Sequence, residues 1–117
     1  FLPKDGIIGR YGGEEFVFVL PNNTKEEATI LAEEIRAEVE RTSFEITPDL
    51  TEEKPIERIS IDVNITISLG VATAPEDAKN AKDLLRNADR ALYIGGKQSG
   101  RNLVGVYNES ETTEAKV

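Results

Sequence analysis

Between residues 59 and 71 every odd position is apolar (Ile59, Ile61, Val63, Ile65, Ile67, Leu69, Val71), while Ser60, Asp62, Asn64, Thr66 and Ser68 alternate with them. Side chains change face at every residue only in an extended chain, so this pattern predicts one long strand with a buried face and a wet face. Such a face needs a covering layer, and two helical segments supply it. Thr24 is a good N-cap with Glu27 three residues on, a capping box, and Ala28, Leu31, Ile35 and Val39 follow at helical spacing to about Thr42. A second helix is expected from about Ala78 to Ile94, with Leu84, Leu85, Ala88, Ala91 and Leu92 as its apolar stripe and Gly95 and Gly96 as its end.

The remaining segments are short. Residues 6–10 and 15–20 read as two strands joined by a turn at residues 11–13, a β-hairpin whose second strand is apolar on both faces. Residues 44–47 are expected to form a ribbon with the outer half of the long strand, after which residues 48–55 make a polar, acidic excursion. A last strand at residues 103–107 completes the order strand, strand, helix, strand, helix, strand, a sheet covered by helices of the α+β or α/β type. No internal repeat is visible. At 117 residues the chain is expected to be one domain, residues 1–108, followed by an acidic tail at residues 109–117 that lacks periodicity and reads as disordered.

The turn poses a chemical question, because RYGGEEF sets two glycines against two adjacent carboxylates at the mouth of an apolar strand. Gly12 and Gly13 allow backbone amides to approach an anion closely, and Glu14 beside them suits a magnesium ion that neutralises phosphate charge. A plain turn followed by two solvated glutamates is the alternative the residues leave open. The chain has no cysteine and no histidine, so any metal must be a hard cation held by oxygen, and no imidazole base or thiolate ligand exists. The net charge of −8 argues against a broad nucleic-acid surface, which needs a positive face. No stretch approaches a membrane span and no basic-then-apolar leader opens the chain, which favours a cytoplasmic location.

With those residues in view, RYGGEEF resembles the signature of GGDEF-domain diguanylate cyclases in its GGEEF form. The resemblance continues through residues 65–72 (ITISLGVA), 88–93 (ADRALY) and 97–102 (KQSGRN), four motifs in order along one chain. It implies an antiparallel, palm-like sheet of the nucleotide-cyclase and ferredoxin-like kind with helices packed on it. It also implies condensation of two GTP molecules into cyclic di-GMP with magnesium or manganese, in a centre formed where two domains of a homodimer meet. Gly12 and Gly13 would lie along GTP, Glu14 would bind metal and serve catalysis, and Glu15 would support metal binding. Lys97 and Arg101 would contact the triphosphate. A sensory or regulatory domain on the N-terminal side of the parent protein is the further partner the resemblance implies.

Three departures qualify that picture. The family usually has two residues between the Tyr of ALY and the Lys, whereas Ile94, Gly95 and Gly96 intervene here. One extra residue turns a helical position by about 100°. A loop at Gly96 would absorb the shift; a continuing helix would aim Lys97 elsewhere. The product-inhibition motif Arg-x-x-Asp falls on Pro3 and Gly6, with Asp5 one residue out of register and Lys4 a poor substitute for a guanidinium fork, so no standard inhibitory site is expected. Finally, the family's first strand with its metal-binding Asp, its Phe-Lys segment and its guanine-reading Asn have no counterpart in these residues. The chain by itself is therefore expected to be an incomplete cyclase. The strands at residues 15–20 and 65–72 would face a gap, to be closed by pairing directly or by borrowing a strand from a second copy. A GTP-sensing regulatory module and a structural dimerisation module remain as alternatives to an enzyme.

Overall fold

The computed structural model describes residues 2–46, 61–97 and 100–108. Its order is β1 (Ile7–Gly12), β2 (Glu15–Val19), α1 (Lys25–Arg41), β3 (Ser43–Ile46), β4 (Ile61–Asn64), β5 (Leu69–Val71), α2 (Ala81–Ala91), a π-helical turn (Leu92–Lys97) and β6 (Val104–Val106). The class is α+β. In place of one sheet, the described residues form three two-stranded ones: β1 with β2, β3 with β4, and β5 with β6. The first two are antiparallel and the third is parallel.

The capping box predicts the first helix closely. Glu27 N–H donates to Thr24 Oγ1 at 3.1 Å and Thr24 N–H to Glu27 Oε1 at 2.8 Å, so two orphan donors are satisfied reciprocally. The second helix starts later than its apolar stripe suggests. Asn80 is the N-cap, its Oδ1 accepting from Asp83 N–H at 2.8 Å, and residues 74–80 form turns and bends ahead of it. Nor do the two glycines end it, because the chain runs on through both of them as a π turn to Lys97.

The long alternating stretch is divided. β4 pairs with β3 in the register Phe44↔Val63 and Glu45↔Asp62, as the expected ribbon, whereas β5 pairs with β6 in the register Leu69↔Val104 and Val71↔Val106. One continuous strand cannot serve two partners that lie in different sheets, so the ladder breaks at residues 65–68 and Ile65 is left exposed. The apolar stripes of α1 and α2 face β5 and β6, yet the buried residues are small: Ala32, Val71 and Ala91, with Thr73 and Asn87. Close approach compensates for size. A Cβ on Gly70 would overlap Ala88 O and stand 2.5 Å from Leu92 N, and a Cβ on Gly105 would overlap Ala91 O. Only glycine lets α2 settle onto these two strands.

Asp77 ties this body together. It pairs with Lys25 Nζ at 2.8 Å, accepts Thr73 N–H at 2.8 Å, and through its own carbonyl accepts Asn87 Nδ2 at 2.7 Å. One residue thus joins the start of α1, the segment after β5 and, through its backbone carbonyl, the middle of α2. Among the described residues, the hairpin has no substantial packing on this body. β2 bonds to β1 and β5 to β6, so of the two expected ways to close the gap, direct pairing of β2 with β5 is not formed among the described residues. Residues 48–55 and 109–117, read as an excursion and a tail, lie outside the described residues.

Candidate functional site

The hairpin register runs Ile7↔Val19, Ile8↔Phe18, Gly9↔Val17 and Arg10↔Phe16, then slips at Tyr11 so that Gly12 faces Glu15. The strand therefore extends further than expected, and the turn sits on Gly13 and Glu14 rather than on residues 11–13. Gly13 has φ +53°, a conformation that disfavours a Cβ. Nothing lies within 4 Å of where a Cβ on Gly12 or Gly13 would stand, so the space over both is open. Arg10 folds back on the turn, donating from Nε at 2.9 Å and Nη2 at 2.6 Å to Gly13 O. The sequence reading gave Arg10 no role; its position three residues before Gly13 was the available signal. Pinned in this way, the turn presents Glu14 at its exposed tip, and half-buried Glu15 opens β2.

These carboxylates suit a hard cation, and they cannot surround one alone. A magnesium ion wants about six oxygens. Among the described residues no group of three or more Asp, Glu, His or Cys stands close enough to hold a metal. Two adjacent carboxylates could supply no more than one edge of an oxygen-lined cation site.

The basic residues sit on a second structure. In the π turn the amide of Leu92 is shared between Ala88 O and Asp89 O, and a Cβ on Gly95 would overlap Gly105 Cα, so the turn is seated against β6. Beyond residues 98 and 99, which are not described, Gly100 (φ +115°), Arg101 (φ +65°) and Asn102 (φ +54°) form a run of positive φ. Arg101 is exposed. Asn102 is anchored three ways: its N–H donates to Ser68 Oγ at 2.9 Å, its Nδ2 to Glu40 Oε2 at 2.7 Å, and its Oδ1 accepts Arg36 Nη1 at 2.9 Å. Arg36 also pairs with Glu33 and Glu40. The Arg36 hydrogen bond holds the Glu33 carboxyl below the usual glutamate range, and the Asn102 bond, then Arg36, does the same to Glu40; both carboxylates push the guanidinium up.

Where the family's inhibitory motif would fall, Gly6 N–H donates to Pro3 O at 2.8 Å, closing a turn with Lys4 and Asp5 at its exposed corner.

A family model described as "Diguanylate cyclase, GGDEF domain" matches residues 1–103. The chain belongs to the GGDEF family. It is 41% identical over 95 residues to diguanylate cyclase A of Treponema denticola, covering 81% of this chain and 22% of that protein. It is 40% identical over 102 residues to the probable diguanylate cyclase DgcT of Escherichia coli, covering 87% and 20%. Its fold is similar to the active GGEEF domain of a diguanylate cyclase from Vibrio cholerae, with a TM-score of 0.65 and 31% identity over 89% of this chain and 57% of that one. The chain thus spans about a fifth of the length of these curated relatives.

Within the GGDEF framework the extra residue before Lys97 finds a physical account. A π turn closes i→i+5 instead of i→i+4, so it holds one residue more per turn of backbone. Ile94, Gly95 and Gly96 all lie inside this turn, in place of the loop or continuing α-helix that the spacing suggested. Lys97 and Arg101 belong to one connected segment, while the GGEEF residues Gly12, Gly13, Glu14 and Glu15 lie on the separate hairpin.

Proposed function

We propose that this chain is part of a diguanylate cyclase domain that joins two GTP molecules into cyclic di-GMP. In each of two equivalent steps the 3′-hydroxyl oxygen of one GTP bonds to the α-phosphorus of the other, and pyrophosphate leaves with the electron pair of the broken P–O bond. Gly12 and Gly13 let the nucleotide lie against bare backbone. Lys97 and Arg101 bind the triphosphate oxygens, whose charge a cation matches best. Glu14, with Glu15 behind it, holds an edge of the magnesium site. The bound metal supplies charge stabilisation at the phosphate and a more acidic hydroxyl.

The observation that carries this reading is the Arg10-pinned turn, which leaves open space over both glycines and sets Glu14 at its tip. The remaining metal donors belong to other parts of the full-length protein, and a second copy supplies the facing GTP. A regulatory domain governs when the two copies meet. No helix among the described residues is long and apolar enough to cross a membrane.

The test compares the full-length protein with Glu14→Ala, incubating each with GTP and magnesium and separating the nucleotides. Cyclic di-GMP from the first and its loss by at least a hundredfold in the second are expected, a ligand loss of the order seen for essential electrostatic groups. Equal yields would refute the role of Glu14. GTP binding without product in the full-length protein would favour a nucleotide-sensing role.

A further inference from the structure

Three consecutive positive φ angles at Gly100, Arg101 and Asn102 call for something that holds them. Glycine adopts such angles freely and asparagine does so more readily than most residues, but arginine does not. Asn102 uses its backbone N–H on Ser68, its side-chain donor on Glu40 and its side-chain acceptor on Arg36. Ser68 lies just before β5, and Arg36 and Glu40 lie one turn apart on α1, so the loop is fastened to two elements at once.

We propose that Asn102 is a positioning residue for nucleotide binding: clamped by Ser68, Arg36 and Glu40, it fixes the backbone at Arg101 and so aims the Arg101 guanidinium. This rests on the reading of Arg101 as a triphosphate ligand.

The chemistry of the clamp specifies its residue. Glu40 needs a donor and Arg36 an acceptor, and a carboxamide offers both on one short side chain. Aspartate would lose the donor and set a second carboxylate against Glu40. Glycine would keep the φ and lose both side-chain bonds. Arg36 cannot be exchanged for lysine without loss, since its planar fork serves Glu33, Glu40 and Asn102 together. The side chain of Arg36 is only 15% exposed, as befits a fixed strut. Arg101, by contrast, is exposed, so the clamp on the backbone beneath it sets where its side chain starts out toward a ligand.

The experiment is a double-mutant cycle in the full-length protein, using a non-hydrolysable GTP analogue for binding and GTP for KM and kcat. Arg101→Ala should weaken analogue binding by roughly tenfold to a hundredfold, the loss of one charge-assisted contact. Asn102→Gly should weaken it nearly as much, raising KM more than it lowers kcat. Because the second residue acts through the first, the double variant should bind no worse than Arg101→Ala alone. Arg36→Lys, which keeps the charge on α1, should reproduce part of the loss and serves as the readout if Asn102→Gly does not fold. Normal binding by Arg101→Ala would remove the premise, and the proposal with it. Reduced binding by Arg101→Ala with normal binding by both Asn102→Gly and Arg36→Lys would overturn the clamp alone. Losses that add in the double variant would also overturn it, since they would mark Asn102 as a support of the fold without a link to Arg101.

Discussion

Replacing Gly70 by alanine tests whether α2 is seated on β5 as closely as the structure shows. The new Cβ would overlap Ala88 O, stand 2.5 Å from Leu92 N and 2.8 Å from Leu92 Cβ. Two of these are backbone atoms and the third is fixed to the backbone, so no side-chain rotation relieves them. Carbon contacts settle near 3.5–4.0 Å, and the helix must therefore lift by about 1 Å. β5 cannot yield instead, since it is held in register by β6. Overpacking of this kind costs about 1–3 kcal/mol, and with three immovable neighbours the upper half of that range, about 2–3 kcal/mol, is expected. For a domain of this size the melting temperature should fall by about 8–20 °C. Urea unfolding followed by far-ultraviolet circular dichroism is the assay, because the chain has no tryptophan to report by fluorescence. Gly9→Ala is the control: nothing lies within 4 Å of its Cβ position, and a change within about 0.5 kcal/mol is expected. If Gly70→Ala matched that control with an unchanged m-value, the glycine-mediated seating of α2 would be refuted.

Asp77→Ala removes the partner of Lys25 and leaves Thr73 N–H without its acceptor, and should cost about 2–4 kcal/mol in the same assay; a smaller loss than for Thr24→Ala, about 1 kcal/mol, would contradict the central place given to Asp77. Glu40 has a folded value below its ordinary 4.5, so its stabilising contribution is complete above pH 4.5 and is lost as the pH falls through the depressed value. The stability gap between the wild type and Glu40→Gln should therefore be constant from neutrality to about that pH and narrow below it, as melts across a pH series would reveal; a gap that widened on acidification would reverse the sign. Added cyclic di-GMP should not slow the full-length protein through Pro3 and Gly6, so inhibition at submicromolar product that vanishes in Lys4→Ala or Asp5→Ala would establish a shifted site.

Local rules carried the sequence reading where a single element decided the outcome. The capping box at Thr24 placed α1 to within a residue, and the alternation of Ile61 and Val63 placed the ribbon with Phe44. They failed where a partner distant in sequence decided it. Nothing in the pattern from Ile59 to Val71 says that its two halves join different sheets. Gly95 reads as a helix end by composition, and only Gly105, ten residues on, shows that it is a contact point. At the candidate site the motifs nominate Gly12, Gly13, Glu14, Glu15, Lys97 and Arg101, whereas no motif points to the contacts of Arg10, Arg36 and Glu40. A guanidinium that bonds to a carbonyl or to an amide of a remote loop leaves no spacing rule behind, and Arg36 with Glu40 reads from sequence as one more surface pair on a helix.

The π turn at Leu92–Lys97 has a genetic consequence. Adding one codon inside a helix that leads into a strand would ordinarily shift the frame of everything packed beyond it, and every downstream contact would need a matching change. The widened turn occupies six positions, and within this fold Gly105 meets Gly95 while Val104 faces Leu69. A residue added or removed inside such a turn is expected to be accommodated there, leaving the pairing of β5 with β6 in register.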